Sequence, residues 1–316
     1  MFTRPELDAA HALIGATLAP TPAIAWPLLE AHAGTEVWVK HENHLPTGAF
    51  KVRGGLVFME AHRRGGGGGI VTATRGNHGQ SLAFAGRRAG VPVTIVVPYG
   101  NSREKNAAMT GYGATLIEHG ADFDAARAHA GVLARDRGLL LVPSFHPALV
   151  KGVATWALEL FMAAPELDTV YVPIGMGSGI CGAILVRDML GLRTEIVGVQ
   201  SVGAPAYARS FQEGRLIALD SATTHADGLA TRVPDPAALA IIQAGAARVI
   251  TVTDDEVAGA IRAYWTGTHN LAEGAGAAPL AGLMQERDRM AGRRVGLPLC
   301  GGNMDLALFR SWVLEA

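Results

Sequence analysis

One lysine in this sequence stands in a segment whose composition suits covalent chemistry. It is Lys51, at the end of the run His41–Lys51, which reads HENHLPTGAFK. The Pro-Thr-Gly turn ends a strand predicted at Val37–Lys40, and a helix is predicted to begin near Lys51. A helix N-terminus and apolar neighbours both disfavour the charged form of a lysine, and a desolvated amine suits Schiff-base chemistry. Taken alone, the segment also allows an ordinary solvated lysine.

A second segment combines glycine with polar side chains at the end of a predicted strand. It follows the strand Ile70–Ala73, opens a helix and reads TATRGNHGQ over Thr72–Gln80. Loops at the carboxyl ends of parallel strands bind ligands in such folds, and backbone N–H groups at a helix start favour an anion such as a carboxylate. The alternative is a glycine turn whose Asn and His merely cap a helix.

A third segment has the composition of a phosphate-binding loop. It covers Pro173–Gly182, reads PIGMGSGICG and again lies between a predicted strand and a helix. Its last six residues also satisfy the dinucleotide pattern G-x-G-x-x-G, which expects an acidic residue at the end of the next strand. That strand ends in Gln200-Ser201, and Glu195 lies before its start. The pattern therefore favours a simple phosphate over a nicotinamide dinucleotide.

The fourth segment places a thiol after the last predicted strand. It covers Leu299–Asp305 and reads LCGGNMD. Cys300 is there a candidate ligand contact, although a lone cysteine is more often a small buried hydrophobic residue.

Short apolar strands alternate with helical patterns along the whole chain, which indicates an α/β fold with parallel sheets covered by helices. The predicted strands are Val37–Lys40, Ile70–Ala73, Val93–Val97, Ala114–Ile117, Leu139–Val142, Val170–Ile174, Ile196–Gln200, Val249–Val252 and Val295–Leu299. A last helix is predicted at Met304–Glu315. The glycine run Gly65–Gly69 predicts a connection between domains. We therefore expect a large domain of residues 1–64 plus 144–316, a small domain of residues 65–143, and no regulatory domain.

Composition excludes several classes of protein. Glycine supplies 40 of the 316 residues, without the period of three found in collagen. Hydrophobic residues make up 49% and charged residues 17%, which is not the composition of a disordered chain. The formal net charge of −1 has no basic run, so neither nucleic acid nor a membrane surface is an expected partner. The two cysteines and the absence of a signal or spanning segment predict a cytoplasmic protein.

Together the four segments resemble the fold-type-II pyridoxal-phosphate enzymes, and most closely the group of serine/threonine dehydratases (ammonia-lyases) and serine racemases. The similarity runs from about Thr21 to Asp305. It implies two three-layer αβα domains with parallel sheets, as in the tryptophan synthase β chain. It also implies pyridoxal 5′-phosphate as cofactor, a homodimer, and a small amino acid as substrate.

The resemblance also assigns roles to residues of this chain. Lys51 would be the catalytic residue and hold the cofactor as a Schiff base, with Phe50 packed beside the cofactor ring. Asn77 would bind the ring hydroxyl, and Cys300 would face the pyridine nitrogen. The phosphate would be bound by Gly175, Met176, Gly177, Ser178 and Gly179. The substrate carboxylate would be bound by the loop of Thr74, Arg75, Gly76, Asn77 and His78.

Departures from the family pattern bear on the reaction. Racemases carry a serine where this chain has Arg75, and a guanidinium with a pKa above about 12 does not trade protons as a base. We therefore expect poor racemisation, and Arg75 either contacts a polar or acidic substrate side chain or points to solvent. Relatives with a divalent-cation site use acidic ligands where Gln200 and Ala206 stand, so no metal is expected.

The sequence thus predicts a carbon–nitrogen lyase that eliminates the β-hydroxyl of a threonine- or serine-like amino acid, releasing a 2-oxo acid and ammonia. The alternatives are a lyase for 3-hydroxyaspartate or an aryl-serine, an amino-acid racemase, and a non-catalytic pyridoxal-phosphate-binding protein.

Overall fold

The computed structural model describes residues 1–164 and 166–315. Its strands are β1 (Ala23–Ala25), β2 (Glu36–His41), β3 (Ile70–Ala73), β4 (Val93–Val97), β5 (Thr115–Glu118), β6 (Leu140–Leu141), β7 (Thr169–Pro173), β8 (Glu195–Ser201), β9 (Arg248–Val252) and β10 (Arg294–Leu299). Its α-helices are α1 (Arg4–Gly15), α2 (Pro27–Ala33), α3 (Lys51–Arg64), α4 (Asn77–Ala89), α5 (Arg103–Gly111), α6 (Phe123–Arg137), α7 (Pro147–Ala163), α8 (Ser178–Met189), α9 (Ala206–Glu213), α10 (Pro236–Gly245), α11 (Asp254–Thr268), α12 (Gly274–Gln285) and α13 (Leu306–Leu308). The predicted α/β class is confirmed.

The chain divides into two compact units, and each of them is discontinuous in sequence. The smaller unit comprises Met1–Ala19 with Leu45–Val153, and the larger unit comprises Pro20–His44 with Ala154–Ala316. The sequence placed residues 1–64 and 144–153 in the large domain, so this division differs from that prediction for residues 1–19, 45–64 and 144–153. The physical reason is that α1 and α3 bury their apolar faces on elements of the smaller unit.

The smaller unit is built on a parallel sheet in the order β5-β4-β3-β6. β3 pairs with β4 in the register Ile70 to Val93, and all four residues of β3 are buried. Its apolar core includes Phe58 and Met59 of α3 and Leu82 of α4. The buried strand therefore presents its carboxyl end, and the loop that follows it, at one edge of a rigid sheet.

The larger unit is built on a sheet in the order β1-β2-β10-β7-β8-β9. β7 pairs in parallel with β8, and β10 pairs in parallel with both β2 and β7. β1 is an addition that the sequence analysis missed, because three residues are too short to show alternation. It pairs antiparallel with β2, so this sheet is parallel except at that edge.

The helix predicted at Met304–Glu315 differs in the structure. The helical backbone begins at Leu306, and it continues from Phe309 to Leu314 as a π-helix. The apolar spacing of this segment predicts the buried side, and Trp312 and Val313 are indeed buried. It does not predict which hydrogen-bond register the backbone adopts. Among the described residues, no helix has the length and apolar character needed to cross a membrane.

Candidate active site

Lys51 is the first residue of α3, as the sequence predicted, and its backbone is tied to the next helix. The Ser81 hydroxyl of α4 donates a hydrogen bond to the carbonyl of Lys51 at 2.6 Å. The side chain of Lys51 is half-buried, and its Nζ lies 5.4 Å from the centre of the Phe50 ring. Phe50 thus packs against the lysine that the sequence singled out, in a cation–π arrangement.

Glycines allow α3 to approach its neighbours closely. A Cβ at Gly55 would lie 2.3 Å from the Ser81 hydroxyl, and one at Gly54 would lie 2.6 Å from the Leu149 carbonyl. Gly152 faces α3 in the same way, because its Cβ would lie 2.4 Å from the Arg53 carbonyl. These contacts fix the helix that carries Lys51 by backbone packing on two sides.

The loop between β3 and α4 is held by Thr74. Its buried hydroxyl accepts a hydrogen bond from the backbone N–H of Gly76 at 3.0 Å. The helix start that follows has no side-chain cap, so its first-turn N–H groups have no capping oxygen. Asn77 is half-buried at this position. Such a start is able to bind a carboxylate, which is the chemistry that the sequence predicted for Thr74 to His78.

His78 is buried below this loop and is kept neutral. Burial, together with the positive charge of Lys51, lowers the pKa of His78 from 6.5 to about 3. Its Nε2 lies 3.1 Å from the Thr72 hydroxyl, which donates its own proton to the Val142 carbonyl. Nε2 therefore carries the hydrogen of the His78–Thr72 bond. A neutral histidine in this position positions the loop and adds no charge to it.

Arg75 is exposed on the same loop. Within residues 1–164 and 166–315, its guanidinium makes no hydrogen bond or ion pair, so all of its donors are available to solvent or to a ligand. The neighbouring Gly76 has no room for a side chain, because a Cβ there would lie 2.4 Å from Cδ of the buried Lys105. Lys105 was not identified from the sequence, since nothing local marks a lysine on α5 as buried.

The glycine loop of the larger unit follows β7 and opens α8 directly. Gly177 has φ +94°, a left-handed conformation that favours glycine, and it precedes α8 without a side-chain cap. A Cβ at Gly177 would lie 2.9 Å from Cβ of Ala238, and one at Gly175 would lie 2.3 Å from the Gly228 carbonyl. The segment Gly175–Gly179 thus presents backbone N–H groups with no side chain in the way.

Cys300 follows β10 in the same unit and is buried, with 3% of its surface exposed. Tyr264 of α11 is completely buried, and its hydroxyl has no hydrogen-bond partner among the described residues. Burial raises the pKa of Tyr264, and Cys300 raises it further. Tyr264 was missed in the sequence, where it reads as one more apolar position of an amphipathic helix.

These features fit a phosphorylated aromatic aldehyde. The uncapped, side-chain-free loop at the start of α8 suits a phosphate, a partly buried amine suits a carbonyl, and a thiol near an unpartnered buried hydroxyl suits a ring nitrogen. By contrast, no group of three or more His, Cys, Asp or Glu side chains able to hold a metal occurs in the part of the chain that the structure describes.

Comparison with known proteins agrees with this chemistry. Residues 14–301 match the family described as pyridoxal-phosphate dependent enzyme, so the chain belongs to that family and uses pyridoxal phosphate. Within it, the chain is 36% identical to L-threonine ammonia-lyase of Geobacter sulfurreducens over 275 residues, which is 86% of this chain and 68% of that protein.

Two further relatives cover more of the chain. It is 32% identical over 296 residues to L-threo-3-hydroxyaspartate ammonia-lyase of a Pseudomonas species, with 92% of both chains covered. Maize serine racemase has the same fold, with a TM-score of 0.92 at 27% identity, covering 98% of this chain and 96% of the maize chain. The fold-type-II resemblance drawn from the four segments is therefore confirmed.

Proposed function

We propose that this protein is an ammonia-lyase that eliminates the β-hydroxyl of a β-hydroxy amino acid and releases a 2-oxo acid and ammonia. The observation that carries the proposal lies in one unit: the amine of Lys51, at the start of α3, beside the uncapped start of α4. The first offers a base and the second a carboxylate site, as elimination from an amino acid requires. The ammonia-lyase relatives act, by their names, on threonine and on 3-hydroxyaspartate, both β-hydroxy amino acids.

Pyridoxal phosphate, when bound, supplies an electron sink for the bonds around the α-carbon of an amino acid. We assign its phosphate to Gly175, Met176, Gly177, Ser178 and Gly179, and its ring to Phe50, Asn77 and Cys300. Lys51 is the residue assigned to hold the cofactor covalently. These assignments rest on the fit of each residue described above.

The chain's own residues then direct the reaction. The substrate carboxylate is bound by the N–H groups at the start of α4, within the loop Thr74–His78. This orients the α-proton toward Nζ of Lys51, which accepts it as general base. Because the pKa of His78 is lowered to about 3, its ring stays neutral and does not compete for the carboxylate as a cation. The β-hydroxyl then departs, and hydrolysis of the released enamine gives the 2-oxo acid and ammonia.

We also propose a cytoplasmic homodimer. Buried thiols at Cys181 and Cys300 suit a reducing compartment, and the family resemblance supports the dimer.

The test is to present purified protein with serine, threonine, 3-hydroxyaspartate and phenylserine, and to measure 2-oxo acid and ammonia in equal amounts. We expect turnover with at least one of them. In Lys51→Ala, we expect both the turnover and the absorbance of covalently bound cofactor to disappear. Lys151→Ala, a change at another half-buried lysine of the same unit, should preserve both. Turnover in Lys51→Ala at the wild-type rate would overturn the mechanism.

A further inference from the structure

The glycine loop of the larger unit is held from behind by a tyrosine that the mechanism does not use. Tyr207 of α9 is completely buried. Its hydroxyl donates to the carbonyl of Met176 at 3.1 Å, in the middle of the loop. The same hydroxyl accepts from the backbone N–H of Asp235 at 3.0 Å, at the residue that caps α10. We call this pair of hydrogen bonds the Tyr207 bridge.

The Tyr207 bridge acts on the residue of the loop with the most restricted space. The position of a Cβ on Gly177 would lie 3.4 Å from the Tyr207 hydroxyl and 2.9 Å from Ala238 of α10. Gly177 is also the left-handed residue that starts α8. The hydroxyl therefore fixes the carbonyl of Met176 on the inner side of the loop, and that fixes the direction of the next peptide group.

A second buried side chain ties the same loop to α9. Gln200, at the end of β8, is completely buried. Its amide oxygen accepts from the backbone N–H of Ala208 at 2.9 Å, and its amide nitrogen donates to the carbonyl of Ile174 at 3.5 Å. Ile174 precedes the loop, and Ala208 follows Tyr207. Gln200 thus holds in place the helix from which Tyr207 reaches the loop.

These contacts hold the loop with uncharged groups throughout. Burial raises the pKa of the Tyr207 hydroxyl, which stays protonated and able to donate at the pH of cells. The amide of Gln200 does not titrate. The loop conformation is therefore maintained by the protein alone, independently of pH.

We propose that Tyr207, supported by Gln200, is a positioning residue that keeps Gly175–Gly179 in the conformation that binds the cofactor phosphate. The proposal rests on the assignment of this loop to the phosphate under the proposed function. It predicts that loss of the Tyr207 hydroxyl weakens binding of a phosphorylated ligand and leaves binding of its unphosphorylated counterpart unchanged. A residue with a merely structural role would affect both ligands alike.

The experiment titrates the full-length apoprotein with pyridoxal 5′-phosphate and with pyridoxal, and follows the absorbance of bound cofactor. In the wild type, the ratio of the two dissociation constants measures the contribution of the phosphate. In Tyr207→Phe, which leaves the Met176 carbonyl and the Asp235 N–H without their partner, we expect this ratio to fall about tenfold. The affinity for pyridoxal should stay within about twofold of the wild type.

Tyr171→Phe is the matched control. Tyr171 is an equally buried tyrosine of the same sheet, but its hydroxyl donates to Glu286 at 2.6 Å and makes no bond to the loop. We expect its ratio to equal that of the wild type. Gln200→Leu is the second test variant and should lower the ratio in the same direction, so the proposal stays testable if Tyr207→Phe does not fold.

The outcomes separate the two assignments. If the wild type binds pyridoxal as tightly as pyridoxal phosphate, the phosphate site is not at this loop, and the assignment made under the proposed function fails. If the wild type prefers the phosphate and both variants keep that preference, the phosphate assignment stands and the role of Tyr207 is refuted. Equal weakening of both ligands would also refute it, since that result denotes a general structural defect.

Discussion

His78 and Lys51 are two nitrogen bases in one unit, and the fold gives them different tasks. The His78 ring is buried, lies near the positive charge of Lys51 and has a pKa of about 3. It is therefore neutral and spends Nε2–H on the Thr72 hydroxyl. Lys51 instead has a half-buried amine at a helix start, beside the loop proposed to bind the substrate carboxylate. The histidine positions the loop, and the lysine remains the base.

Arg75 determines what happens after Lys51 has taken the α-proton. Its guanidinium does not exchange protons near neutral pH, so no acid at this position returns a proton to the opposite face of the α-carbon. We predict that Arg75→Ser gives the enzyme serine racemase activity at least tenfold above that of the wild type, because a hydroxyl can exchange a proton there. Chiral chromatography of serine recovered from the reaction measures this.

Arg75→Ala is the matched control for this prediction. It removes the guanidinium without introducing a hydroxyl, so racemisation should stay at the wild-type level. If Arg75→Ala racemises serine as well as Arg75→Ser does, then the arginine only blocks access, and the hydroxyl is not the proton donor. If neither variant racemises serine, residue 75 does not control the outcome of the reaction.

At the scale of the element, the start of α3 is set by how closely α3 packs against α4. Gly55 lets the two helices approach until the Ser81 hydroxyl reaches the Lys51 carbonyl. The catalytic lysine is thus positioned by a helix–helix contact four residues along the chain. This explains why glycine occurs inside a helix, where it costs roughly 1 kcal/mol relative to alanine.

We predict that Gly55→Ala lowers the free energy of unfolding by about 1–3 kcal/mol, despite the higher helix propensity of alanine. The added Cβ would lie 2.7 Å from the backbone oxygen of Ser81, so a whole helix must shift. Urea unfolding followed by circular dichroism measures the loss. Gly65→Ala, at the end of the same helix, is the control, because its Cβ would find its nearest atom at 3.5 Å. A stable Gly55→Ala variant would show that the two helices are not held by this contact.

At the scale of the whole molecule, buried neutral histidines couple stability to pH. The pKa of His78 is lowered by burial to about 3, and that of His41 is lowered, chiefly by burial, to about 4. In the unfolded chain each titrates near its ordinary value of 6.5. Each neutral ring therefore contributes its full stability above pH 6.5, and that stability is lost as the pH falls from 6.5 toward the folded pKa.

We predict that acidification from pH 7 to pH 5 destabilises the wild type by about 2 kcal/mol more than His78→Gln, which has no group to titrate at this position. Urea midpoints at the two pH values measure the difference. His119→Gln, a change at an exposed histidine, serves as the control and should retain the wild-type pH dependence. If His78→Gln also retains it, the His78 ring is not buried as a neutral base.

Much of this molecule was predictable because its signals are local. Each of the predicted strands is present within a residue or two, since buried parallel strands are continuous apolar runs. The helix start at Lys51, the loop before Asn77 and the glycine loop were predictable for the same reason. Glycine and polar residues at strand ends act on their own neighbours in sequence.

The partners of these segments were not predictable. Ser81 lies 30 residues from Lys51, and Tyr207 lies 31 from Met176. Neither stands in a motif. The division of the chain also depended on packing, since α1 and α3 join the smaller unit through apolar contacts that a glycine run at Gly65–Gly69 does not reveal.

The sequence by itself therefore determined the class of the fold, the family, the cofactor and the segments proposed to bind it. Those properties follow from short-range patterns, such as strand hydrophobicity and glycine at helix starts. Only the tertiary structure decided that His78 is neutral, that Gly55 positions Lys51 and that Tyr207 holds the glycine loop. These properties depend on burial and on hydrogen bonds between distant elements, and neither exists until the chain has folded.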